Sequence, residues 1–152
     1  MSSVSNYKIN ISAPNLINIC VDNNEQKEIS GRLYHCYQEE PVLFANVVEL
    51  IREIESLFDR IAFPQASTKT RSFGENGQPN SGPVVRPEKV VPQDQVILHN
   101  GQRGTFITCV KFRQNSTWQG ETYWMEKDLQ MRFVNLLEFI KRVDEAVNGD
   151  VN

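Results

Sequence analysis

The sequence contains no apolar run near the roughly 18 residues that a membrane-spanning helix needs, and its start, MSSVSNYK, has no basic region followed by an apolar one, as a secretory signal would. It also lacks CxxC pairs, HExxH, GxxxxGK[ST] and a GxGxxG after a strand, so common metal and nucleotide sites have no support. The formal charge of −3 is too small to name a partner, and a pI near 5.4 does not favour nucleic acid. These absences predict a cytoplasmic protein without membrane association, metal or cofactor.

Few side chains in the sequence could carry out chemistry. The three cysteines, Cys20, Cys36 and Cys109, form an odd set and are expected to be reduced, partly buried thiols. The two histidines, His35 and His99, fall in strand patterns, where a lone histidine is more often structural or on the surface than a metal ligand. His35 and Cys36 are adjacent, and neighbouring strand residues point to opposite faces, so they do not form a simple nucleophile pair. We therefore predict no enzymatic activity.

An internal repeat is the main organising feature. Residues 7–58 align without a gap to residues 96–147, and the segments FANVVELI and FVNLLEFI occupy equivalent places. In each copy an asparagine is followed three residues later by a glutamate, as Asn46 and Asn135 show, which is the pattern of a helix capping box. Apolar residues then recur at i, i+3, i+4 and i+7, as in a helix lying on a core. The pattern predicts helices over residues 46–58 and 135–147.

Alternating apolar residues predict strands before each helix. The predicted strands are residues 7–11, 16–22, 28–36, 96–98, 105–112 and 118–125, with short VLF and MRF pieces leading into the helices. Asn100-Gly101 indicates a hairpin turn, and the single glycines Gly31 and Gly120 indicate a bulge or a close backbone approach. Each copy is thus predicted to be an antiparallel β-meander followed by one helix. The whole chain, residues 1–152, is predicted to be one pseudo-symmetric α+β domain.

The segment between the copies differs in composition. Residues 59–95 hold five of the seven prolines, and the stretch FGENGQPNSGPVVRPEK has no hydrophobic period. Such a composition predicts a long loop or linker. Two interpretations stay open, a plain tether and a partner-binding loop that orders on contact.

Aromatic residues provide the candidate site. Trp118 and Trp124 lie six residues apart on one predicted strand, so both point to the same face. If the helices cover the other face, both indoles are predicted to form a self-association or partner site, with burial in the core as the rival view. Lys111 and Arg113 lie close to Trp118 in the stretch KFRQNSTWQG, and such a hairpin tip could contact phosphate and stack a base.

The stretches FRQNSTWQGETYWMEKDLQMRFVNLLEFIKRVDEAV and GRLYHCYQEEPVLF resemble a group of small uncharacterised bacterial proteins. The likeness covers most of both copies and implies a bacterial, intracellular origin. That group has no assigned activity, so the resemblance implies nothing about function.

The sequence favours a non-enzymatic binding or regulatory protein that acts through protein–protein contacts, with a protein partner or a homo-oligomer. One alternative is a nucleic-acid-associated accessory protein that uses Lys111, Arg113 and Trp118. Another is a small-ligand binder at the junction of the two copies. The residues themselves identify neither the partner nor the process.

Overall fold

The structure, a computed structural model, describes residues 12–63, 87–114 and 117–148. These residues form an α+β fold with one six-stranded antiparallel sheet and three helices. The strands are β1 Ile17–Asn23, β2 Ser30–His35, β3 Gln38–Phe44, β4 Gly104–Gln114, β5 Thr117–Trp124 and β6 Leu129–Phe133. The helices are α1 Val47–Ile61, α2 Gln93–Val96 and α3 Leu136–Asn148.

The sheet has the strand order β3-β2-β1-β4-β5-β6, and every neighbouring pair is antiparallel. β1 and β4 therefore lie at the centre, where Ile19 faces Phe106. β3 and β6 are the two edges, and each leads directly into a long helix. This order brings the starts of α1 and α3 to the same sheet from opposite edges.

Capping boxes start both long helices. The Asn46 side-chain oxygen accepts from the Glu49 backbone N–H at 2.9 Å, and the Glu49 carboxylate accepts from the Ala45 N–H at 2.8 Å. The second helix has the same arrangement, with Asn135 accepting from Glu138 at 2.8 Å and Glu138 accepting from Val134 at 2.9 Å. The predicted caps and helix starts are confirmed. In both boxes the glutamate accepts from the N–H of the residue before the cap, whereas a standard capping box uses the cap's own N–H.

The long helices cover one face of the sheet and form the larger core with it. Side chains from both helices and from the inward positions of the strands are buried there: Ile17, Ile19, Val21, Leu33, Phe44, Leu50, Ile54, Leu57, Phe58, Ile61, Phe106, Val110, Trp118, Phe133, Phe139 and Val143. The predicted helical stripes supply the helix side of this core, as their period requires.

The segments beside the central strands cover the opposite face of the sheet. Residues 87–98 cross it, and the Cys36 carbonyl accepts the N–H groups of Val90 and Val91 at 2.7 and 3.0 Å. A second core of Ala13, Leu16, Cys20, Tyr34, Cys36, Val96, Ile97, Ile107, Cys109 and Tyr123 lies beneath. The sheet is therefore covered on both sides by its own chain over much of its area.

Residues 96–98 do not form the predicted strand. Val96 ends α2 and Ile97 follows it as the helix cap, so Asn100-Gly101 does not join two strands. The buried Asn18 side chain donates to the carbonyls of Val96 and His99, both at 2.9 Å, which fixes this turn against β1. The matching predicted strand, 7–11, lies outside the described residues, as does 64–86 of the predicted linker.

Candidate functional site

Trp118 lies in the core between the sheet and the helices. Its side chain is fully buried, and its ring centroid lies 6.0 Å from that of Phe58 and 5.4 Å from that of Phe139. The indole N–H donates to the Glu55 carboxylate at 2.5 Å. The prediction that this indole faces away from the helices was therefore wrong. Strand alternation shows that the two tryptophans share a face, but it does not show which face the helices cover.

Trp124 lies on the same face as Trp118, at the end of β5, and is half-buried. Its ring stacks on Phe106 with centroids 6.0 Å apart, and the Lys127 ammonium lies 5.9 Å from the ring centroid. Among the described residues its buried indole N–H has no hydrogen-bond partner. Trp124 is thus packed against the core margin, on the helix side of the sheet.

Arg113 connects the sheet to α1. Its side chain is buried, and one guanidinium nitrogen lies 2.6 Å from a Glu55 carboxylate oxygen and 2.8 Å from one of Asp59. A bulge between Val110 and Phe112 changes the alternation of β4, which turns Arg113 inward and leaves Phe112 exposed. Without the bulge, alternation from the buried Val110 would bury Phe112 and expose Arg113.

Lys111 is exposed and pairs with Glu121 at 3.1 Å. It lines a shallow cavity of about 290 Å³ with Gln119, Gly120, Glu121, Arg132, Phe133 and Val134. Lys111 therefore points outward while Arg113 and Trp118 point inward. The structure does not bring the four predicted site residues together on one surface.

The thiols lie in the second core. Cys20, Cys36 and Cys109 are all free and buried. Burial raises the pKa of the Cys20 thiol to about 12 and also raises the pKa of the other two. These groups stay protonated near neutral pH and are weak nucleophiles.

The histidines are used in local packing. His35 Nδ1 accepts the Tyr37 N–H at 3.0 Å, and burial, with a smaller contribution from Arg60, lowers the pKa of His35 to about 4. His99 stacks on Tyr34 with ring centroids 3.6 Å apart, and its pKa is lowered by burial and by nearby Arg32. Within residues 12–63, 87–114 and 117–148, no group of three or more His, Cys, Asp and Glu side chains is arranged to hold a metal ion.

His35 makes stability depend on pH. Because its pKa is about 4 in the folded chain and 6.5 in the reference state, the unfolded chain binds a proton that the folded chain does not. The fold is therefore fully stable with respect to His35 above pH 6.5. As pH falls towards 4, protonation of the unfolded chain lowers the free energy of unfolding by about 3 kcal/mol in total. Urea unfolding at about pH 7 and about pH 4 measures the free energy of unfolding at each pH. We expect the decrease between the two pH values to be smaller in His35→Gln than in wild type by about 3 kcal/mol. Equal losses in both proteins would contradict the assignment.

An apolar groove lies between the first turns of α1 and α3. It has a volume of about 350 Å³ and is lined by Val47, Val48, Ile51, Arg52, Leu136 and Ile140. Val48 is 59% exposed, and Leu137, which follows Leu136 in α3, is 64% exposed. We refer to these seven residues as the α1–α3 groove. The sequence contains one signal for this groove: Val48 and Leu137 are each the second apolar residue after a capping asparagine, outside the apolar stripe that faces the core. The site predicted from the sequence did not include them.

Comparisons with known proteins leave the groove as the principal guide to function. No family model, curated protein or solved structure matches this chain. In the part of the chain that the structure describes, no helix is long and apolar enough to cross a membrane. The resemblance to small bacterial proteins stays a prediction.

Proposed function

We propose that this chain is a non-enzymatic binding protein that acts through protein–protein contacts, with the α1–α3 groove as the contact surface. The observation that carries this proposal is an apolar groove lined by both long helices, with the exposed Val48 in its lining and the exposed Leu137 next to its lining residue Leu136 in the chain. Single exposed apolar residues are ordinary, whereas a contiguous apolar patch marks an interaction site. Both sheet faces already have cores from the chain itself, so the groove lies outside the two cores and is open to a partner.

The other functions that the sequence left open have less support. Small-ligand sites combine an enclosed apolar cavity with several placed polar groups, whereas among the described residues that line this open groove Arg52 is the one polar residue. The nucleic-acid alternative needs Lys111, Arg113 and Trp118 on one surface, and two of these three are buried. The buried thiols and the lowered pKa of His35 also favour a protein without catalysis. Free cysteines suit a cytoplasmic location.

We also propose that the chain consists of two pseudo-symmetric copies. The order of three strands and a helix occurs twice, from β1 to α1 and from β4 to α3. Capping boxes begin both helices, and Gly31 and Gly120 lie opposite bulges in the neighbouring strands. In this arrangement Val47 and Ile51 correspond to Leu136 and Ile140, so the groove is built from equivalent positions of the two copies.

Substitutions in the groove test the proposed contact surface. We expect Val48→Glu with Leu137→Glu to remove the protein from its complex in a native cell extract, because buried unpaired carboxylates oppose docking. A matched control is Val90→Glu with Leu98→Glu, which are 53% and 63% exposed outside the groove. Size-exclusion chromatography of tagged variants measures complex formation, and thermal unfolding confirms that both variants fold. A complex kept by the groove variant and lost by the control would reject the proposal.

A further inference from the structure

We draw no further inference here: the strongest candidate, the apolar α1–α3 groove on the outer side of the two long helices, belongs to the contact surface already proposed, and nothing in the structure shows what covers it.

Discussion

Gly31→Ala and Gly120→Ala are each expected to destabilise the protein by roughly 3 kcal/mol or more, the upper range for overpacking. A Cβ at Gly31 would lie 2.0 Å from the Cys20 carbonyl oxygen, and one at Gly120 would lie 2.2 Å from that of Cys109. Both obstacles are backbone atoms of an adjacent strand, so no side-chain rotation relieves the clash. Register shifts at Val21/Asn23 and Val110/Phe112 mark the bulges that bring these strands so close.

Neighbouring positions provide the controls for the glycine variants. Ser30→Ala precedes Gly31 in β2, and Gln119→Ala precedes Gly120 in β5. Neither adds volume, and we expect changes within about 0.5 kcal/mol for each. Urea unfolding of the four proteins measures the free energies. Glycine variants as stable as their controls would show that the strands separate easily and that the bulges are not required.

Trp118→Ala is expected to lower the free energy of unfolding by about 3–5 kcal/mol. The substitution removes a fully buried indole that contacts Phe58 and Phe139, and it takes a donor from the Glu55 carboxylate. Trp118→Phe keeps most of the packing and should lose less. Trp124→Ala should also lose less, because that ring is only half-buried.

Unfolding and assembly must be measured on the same Trp118 variants. Denaturant titration gives the stability, and sedimentation velocity gives the assembly state. A folded Trp118→Phe protein should keep its complex, because the ring makes no surface contact. A fully stable Trp118→Ala protein that has lost its partner would show that Trp118 lies in an interface, and it would reject the core assignment.

Local patterns in the sequence predicted the local structure well. Capping boxes at Asn46 and Asn135 fixed both helix starts because the side chain and the backbone N–H that it binds lie within one turn. The α+β class followed from strand and helix periods, and Gly31 and Gly120 indicated the close approaches that are found. These features depend on neighbours in the chain, so a single sequence reveals them.

Long-range packing was harder to predict. Alternation placed Trp118 and Trp124 on one face, but it does not show that residues 87–98 cover the opposite face and the helices cover this one. The bulge in β4 reversed the direction of Arg113. Residues 96–98 have apolar side chains that suit a strand, yet they lie at and just after the end of a short helix held by Asn18.

The groove could not be predicted because it lies between two elements that are far apart in the chain. Val48 and Leu137 each look like a scattered surface residue until α1 and α3 are placed on the same sheet. Only the paired helices show that apolar residues from both belong to one surface.

Site-specific photo-crosslinking in the native cell shows directly whether a partner occupies the α1–α3 groove. A benzophenone side chain replaces Leu137 in the groove or, as the matched position, Leu98, which is 63% exposed at the end of the residues that cross the opposite face. We expect a discrete protein adduct from position 137, absent from position 98 and lost when Val48 is changed to glutamate. An adduct from position 98 with none from position 137 would contradict this expectation.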